Sequence, residues 1–342
     1  MRARGRWPLA LGALLLLVCA AGLLAWLQLE RVMQQSGDAA TAQRISVPAG
    51  SSLRGVLRRL EAARLLPSAP AAEAWLRLRR EPVRLAVGTY EFPAHASPAE
   101  VLEQLVNGRT TLEQLTIVEG WTFADMRRAF DAHPQLAHDW QRLDAAQLMA
   151  QLGAPGRSAE GRFFPDTYRF AAGTSDRRLY QLAFARMQQE LAAAWAGRAP
   201  DLPVSSEDDA LVLASIVEKE TGRADERGKV AAVFVNRLRE GMRLQSDPTV
   251  IYGLGASYDG NIRTRDLQTD TPYNTYTRAG LPPTPIALPG AASLQAAMHP
   301  EKIDALFFVA TGNGDGSHHF SATLAEHNAA VQRFLARTGQ RK

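Results

Sequence analysis

Apolar and polar positions divide the chain before any motif is considered. From Leu9 to Leu29 no residue carries a charge. At ~1.5 Å rise per residue, about 20 such positions cross the hydrocarbon core of a bilayer. The pattern therefore predicts one membrane-spanning helix over 9–29, with a short segment 1–8 before it. Residues 30–44 read as a linker, because Val32–Arg44 is small and polar. Alternation at Ile45-Ser46-Val47 then predicts a strand, Pro48 and Gly50 a turn, and Ser51 or Ser52 the cap of a helix from Leu53 to about Ala63. The same order returns seventy residues later. Leu115-Thr116-Ile117 takes the strand, and Gly120, Thr122, Phe123 and Met126 match Gly50, Ser52, Leu53 and Val56. Between the two units the pattern predicts a helix near Pro70–Arg80, a strand pair over Val83–Phe92 bent at Gly88, and a helix Pro98–Val106 capped by Ser97.

Beyond residue 132 helical periodicity dominates. A loop or short strand through Gly161–Tyr168 leads to a helix at about Asp176–Trp195. Ser205 or Ser206 then caps a helix that opens Glu207-Asp208-Asp209, acids suited to a positive dipole end. It continues Ala210–Val217, apolar on nearly every face, and such a helix is buried all round. It closes on Glu218-Lys219-Glu220-Thr221 with Gly222 as a left-handed stop. A second helix spans Lys229–Arg239, and Arg243–Thr249 reads as a polar loop. The fold class is α+β: an N-terminal transmembrane helix, a small α+β module over 45–110, and a larger α+β domain over 111–342 built on a buried helix.

Charge narrows the possible partners. The chain has 39 Lys+Arg and 35 Asp+Glu; setting aside Arg2, Arg4, Arg6, Arg31 and Glu30 leaves 35 and 34. That near-neutral remainder argues against a nucleic-acid partner. The arginines before the apolar run keep the N-terminus in the cytoplasm and export the rest. Cleavage near Ala20 as a signal peptide is the rival, disfavoured because apolar residues continue to Leu27. Cys19, alone, is a lipid-facing residue without a redox role. His318, His319 and His327 lack the spacing of a metal site, and Gly312–Gly316 reads as a glycine-rich turn rather than a calcium loop. Neither a metal nor a cofactor is expected.

A carboxyl at the end of the buried helix meets two effects of one sign. Apolar surroundings and unpaired helix carbonyls both disfavour its anion, which suits a general acid for glycosidic cleavage. Glu218 and Glu220 point in different directions, and spacing does not choose between them. Amides, hydroxyls and rings at Gln245-Ser246-Asp247-Pro248-Thr249, at Tyr273-Asn274-Thr275-Tyr276 and near Gly280-Leu281-Pro282-Pro283 would furnish a carbohydrate groove. Trp121 reads as a core aromatic.

These segments, with Leu213–Thr221, Val235–Leu238, Val250–Gly253, Phe308–Ala310 and His318–Asn328, resemble in order the endolytic murein transglycosylases of the MltG, or YceG-like, family over about 45–335. The resemblance implies a LysM-like module followed by a catalytic domain in the periplasm, anchored by one pass in the bacterial inner membrane and cutting nascent peptidoglycan glycan strands. It implies Glu218 as catalytic acid, Glu220 in support, and Gln245, Ser246, Asp247, Thr249, Tyr273, Asn274, Tyr276 and His318 as substrate contacts. One glutamic acid would protonate the oxygen between MurNAc and GlcNAc, then take the proton of the C6 hydroxyl as a 1,6-anhydro ring closes and strand elongation ends. Peptidoglycan synthases are the implied protein partners. Two alternatives are a hydrolase pairing Glu218 with Asp247 and a glycan-binding scaffold without activity.

Overall fold

The structure, a computed structural model, describes residues 7–48, 50–80, 83 and 85–339, and the side chains from residue 11 onward. Most of the expected cytoplasmic segment 1–8 thus lies outside the described residues. The chain forms two compact units. The first comprises Met1–Gln114 with Arg169–Thr174, and the second Leu115–Tyr168 with Ser175–Lys342.

The first unit contains α1 (Trp7–Gln34), β1 (Gln43–Val47), α2 (Leu53–Ala62), α3 (Ala69–Arg79), β2 (Gly88–Phe92) and α4 (Pro98–Val106). Strands β1 and β2 pair antiparallel, from Gln43↔Phe92 to Val47↔Gly88. Val56, Leu57, Leu60, Tyr90, Phe92, Leu102 and Leu105 form the core. Ser52, Ser68 and Ser97 cap the three helices after α1, and Ser97 does so in a reciprocal box with Glu100. A strand pair was expected over Val83–Phe92. Instead the described part of that stretch holds a single strand starting at Gly88, whose φ of +145° favours glycine and whose partner is β1.

Helix α1 outlasts its apolar run, and its last turns belong to this core. Met33 is fully buried, Trp26 and Leu29 pack alongside, and Glu30 accepts hydrogen bonds from Trp75 Nε1 (2.8 Å) and from Arg79 (3.2 Å). The small polar stretch after it is packed rather than tether-like. Ala39 is buried, and Gly37 donates to His95 O at 3.2 Å. A Cβ on Gly37 would lie 2.2 Å from Ala96 O, so only glycine fits. Small residues here serve close approach, which composition alone does not distinguish from flexibility.

The chain enters the second unit within β3 (Leu112–Thr116) and continues through α5 (Phe123–Ala132), β4 (Leu136–Ala137) and α6 (Ala145–Gln151). It returns to the first unit within β5 (Thr167–Ala171) and leaves it within β6 (Thr174–Ser175). Then follow α7 (Asp176–Ala196), α8 (Glu207–Glu220), α9 (Arg227–Arg239), α10 (Asp247–Leu254), α11 (Thr264–Gln268), α12 (Ala291–Met298), the antiparallel pair β7 (Phe307–Ala310) and β8 (His318–Ser321), and α13 (Leu324–Thr338). The internal repeat holds locally. Gly50 and Gly120 have φ of +79° and +76°, and Ser52 and Thr122 each accept the backbone N–H three residues on.

Helix α8 is the axis of this unit. Ala210 through Val217 are all buried, and α7, α9 and α12 pack around them. Ser206 caps it, its hydroxyl accepting from Asp209 N at 3.1 Å. At the other end Gly222 is not the expected left-handed stop. Thr221 breaks the helix in an extended conformation (φ −145°), and its hydroxyl accepts from Arg223 N. The expected loop before Val250 is also shorter, because α10 already begins at Asp247 with Pro248 in its first turn, where a missing N–H costs nothing.

Candidate active site

Two carboxyls leave the end of α8 toward different surroundings. Glu218 meets the turn before α5 and the start of α12. Its Oε2 accepts the Gly290 N–H at 2.9 Å, whereas Oε1 has no hydrogen-bond partner among the described residues. Gly120 N donates to Leu288 O (2.9 Å) and Leu288 N to Trp121 O (2.7 Å), so the Gly120 turn is strapped to the segment before α12. Lys219 Nζ donates to Gly120 O at 3.2 Å. A Cβ on Gly290 would stand 1.9 Å from Glu119 Oε1, which puts a second, exposed carboxylate against the same glycine. Trp121 is half-buried at this turn rather than a core aromatic.

Glu220 sits in denser surroundings although part of it reaches solvent. Ser246 Oγ donates to its Oε1 at 2.5 Å. Burial pushes its carboxyl up to about 7, assisted by the Asp247 carboxylate and opposed by the Ser246 hydroxyl and the Arg237 cation. The upward shift argued for a carboxyl at this helix end thus falls on Glu220. Arg237, itself buried, donates to Leu306 O (2.6 Å) and Leu244 O (2.8 Å), and so ties α9 to the residue before β7 and to the start of the Gln245 loop.

The residues expected to touch substrate separate into two groups. Gln245 and Asp247 are exposed, and Tyr273, Tyr276 and His318 are partly so. Gln245 adopts a left-handed φ of +49°, and Tyr276 Oη donates to Asp247 Oδ1 at 2.6 Å. The Tyr276 hydroxyl is pushed up by burial and by that carboxylate. Ser246, Thr249 and Asn274 are buried and bond inward. Thr249 Oγ1 donates to Ser246 O (2.7 Å), and Ser246 N donates to Thr275 Oγ1 (2.9 Å). Asn274 Nδ2 donates to the carbonyls of Asp266, Leu267 and Thr269, and its Oδ1 accepts Tyr276 N. The polar atoms of these three hold the loops that carry Gln245, Asp247 and Tyr276.

Glu226 and Glu160 escaped sequence reasoning. His318 Nδ1 lies 2.8 Å from Glu226 Oε2, and His318 N also donates to that carboxylate. Phe308 and Phe320 flank the imidazole. Glu160 is buried between Phe123 N (2.9 Å) and the Tyr252 hydroxyl (3.1 Å), and burial pushes it up to about 7 as well. The remaining candidate, Tyr273, hydrogen-bonds Thr284 at 2.8 Å and packs edge-on against Tyr252. The Gly312–Gly316 run connects β7 to β8, with φ of +73°, +82° and +71° at its glycines. Among the described residues no group of three or more His, Cys, Asp or Glu side chains could hold a metal ion.

Comparison with known proteins adds an independent line. The model of the YceG-like family matches residues 45–333. An endolytic murein transglycosylase of Bacillus subtilis is 30% identical over 318 residues, covering 87% of this chain and 86% of the relative. One of the same name from Streptococcus pneumoniae is 26% identical over 84% of this chain, which spans 57% of that longer protein. The crystal structure of a yceG-like protein from Listeria monocytogenes superposes with a TM-score of 0.53 at 28% identity, covering 84% of this chain and 98% of the other.

Proposed function

This chain belongs to the YceG-like family and is a lytic transglycosylase of peptidoglycan, and from that premise we propose that it cuts within nascent glycan strands with Glu218 as the single catalytic acid and base. The observation that carries the assignment is the half-anchored carboxyl. Gly290 N–H holds Oε2 and leaves Oε1 open beside a strapped turn. In the reaction Glu218 gives its proton to the oxygen between MurNAc and GlcNAc as that bond breaks. The resulting carboxylate then takes the proton of the MurNAc C6 hydroxyl while O6 bonds to C1. The proton count closes without water, and the product is a 1,6-anhydro end. A single residue therefore serves where hydrolytic glycosidases pair two carboxyls. Exposed Gln245 and Asp247 and the partly exposed Tyr276 and His318 supply polar contacts and ring faces to the sugars. The buried Ser246, Thr249 and Asn274 hold the loops that carry Gln245, Asp247 and Tyr276, and Glu226 holds His318.

One observation favours a second reading. A general acid works best with a pKa near the operating pH, and the carboxyl raised to about 7 in this site is Glu220. Under that reading Glu220 protonates the leaving oxygen and Glu218 orients the sugar. Against it stands the hydrogen bond that commits Glu220 Oε1 to buried Ser246.

Among the described residues one helix, near the N-terminus, is long and apolar enough to cross a membrane. We assign it as a single-pass anchor in the inner membrane, with the arginines before it on the cytoplasmic side and the remainder in the periplasm. We read residues 45–110 as a LysM-like module, a reading supported by the order β1–α2–α3–β2, which would present glycan to a catalytic domain over 111–342, near the synthases that extend the strands. Digestion of sacculi by the full chain in detergent tests the chemistry. Anhydro-ended muropeptides are expected. Reducing ends alone would point to hydrolysis with Asp247 as partner base, and no release would point to a binding scaffold.

A further inference from the structure

An isolated exposed leucine is ordinary on a protein surface and needs no explanation. Leu78, 63% exposed at the end of α3, is not isolated. It lines a shallow groove of about 350 Å³ whose other walls are Gly22, Ala25, Trp26 and Leu29 of α1. All four lie inside the uncharged run that ends at Leu29. Gly22 to Leu29 covers ~10 Å along a helix. Leu78 therefore stands beside the last two turns of the membrane-crossing segment, at a level where that segment is in hydrocarbon or at its boundary.

The register between α3 and α1 is held in several ways. Trp75 Nε1 donates to Glu30 at 2.8 Å, Arg79 donates to the same carboxylate, and the Arg79 guanidinium lies 4.3 Å from the centre of the Trp75 ring. Met33, one turn further along α1, is fully buried in the core of the same unit. Arg77, Arg79 and Arg80 surround Leu78 and are exposed. Arginines with long apolar stems and tryptophans at this level are what the headgroup layer of a bilayer receives.

We propose that the C-terminal end of α3 docks on the same bilayer that α1 crosses, with Leu78 inserted at the edge of the hydrocarbon and Arg80 among anionic headgroups, while Arg77 stays paired with Glu73. The partner is a lipid surface. The first unit is thereby seated on the membrane instead of swinging from a tether. This inference rests on α1 being a retained membrane anchor.

The full chain carrying Cys19→Ser tests it in vesicles of phosphatidylcholine and phosphatidylglycerol. A single cysteine replaces Leu78, or Leu112 as the exposed control in the same unit, and carries an environment-sensitive fluorophore. At position 78 a blue-shifted emission is expected, losing roughly half or more of its intensity to nitroxides placed shallowly in the acyl chains, within the ~5–10 Å that interfacial segments reach. At position 112 the emission should be that of the probe in water and should escape quenching. Carbonate extraction of the same vesicles separates the two ways of failing. Retention in the membrane with water-like emission at position 78 would overturn the docking alone, and release of the protein would overturn the anchor and the docking together.

Discussion

Replacing Glu220 with glutamine should stabilise the second unit at alkaline pH and leave it unchanged near pH 4. An unfolded glutamate releases its proton around 4.5, whereas this one holds it to about 7. Between those values the folded state binds more protons than the unfolded state, so its stability falls as pH rises. Above 7 the loss is complete. At ~1.36 kcal/mol for each tenfold step, the gap corresponds to about 3 kcal/mol. Glutamine keeps the oxygen that accepts from Ser246 and removes the charge that burial disfavours, so the variant should recover most of that amount. The two units of this chain need not unfold together. Pulsed hydrogen exchange along a urea series, read on peptides of α8 alone, isolates the relevant transition. With a urea slope of ~2 kcal/mol per molar, the midpoint should move upward by about 1 to 1.5 M at pH 8 and hardly at all at pH 4. An equal gain at both values would show that glutamine improves packing and that the buried charge carries no cost. No gain at pH 8 would show that Arg237 and water already compensate the anion.

Glu218→Gln should abolish release of anhydro ends while leaving folding and sacculus binding intact, a fall of at least ~10²–10⁴ in turnover, and Glu220→Gln should lose less. Near-normal turnover of the first with loss in the second would transfer the acid role to Glu220. Gly161→Ala should destabilise the second unit by roughly 2–4 kcal/mol in urea titration, because φ is +78° and the new Cβ would stand 2.5 Å from Pro285 Cβ. Gly153→Ala, with a φ of +79° and open space, should cost only about 1 kcal/mol, and equal losses at the two positions would refute the packing argument. Asn274→Ala strips donors from three carbonyls and should weaken the second unit by about 1–3 kcal/mol and lower turnover, whereas Gln245→Ala should impair glycan binding without moving the melting temperature.

Local signals in the sequence translate well into this fold. Ser97 and Glu100 box the start of α4, the apolar stretch Ala210–Val217 is buried, and Gly50 and Gly120 turn alike before their caps. What the sequence conceals is which polar groups face inward. Asn274 and Tyr276 look equally suited to grip a sugar, yet one is consumed by carbonyls and the other reaches the surface. Glu226 lies 92 positions from His318, and no local pattern announces that pairing. The choice between Glu218 and Glu220 is hidden for the same reason. Their surroundings come from Gly290 and Ser246, on segments brought in by tertiary packing.

The path of the chain between units bears on how such a protein can change over generations. Arg169–Thr174 belongs to the first unit although the segments on both sides belong to the second. A domain joined by one linker can be exchanged between genes in a single recombination event. Here a crossover near residue 114 would deliver the leading segment without the six residues that complete its unit, which would stay behind in the donor. The two parts are therefore expected to travel through lineages as one heritable block, with length variation accumulating in surface loops before it alters their pairing.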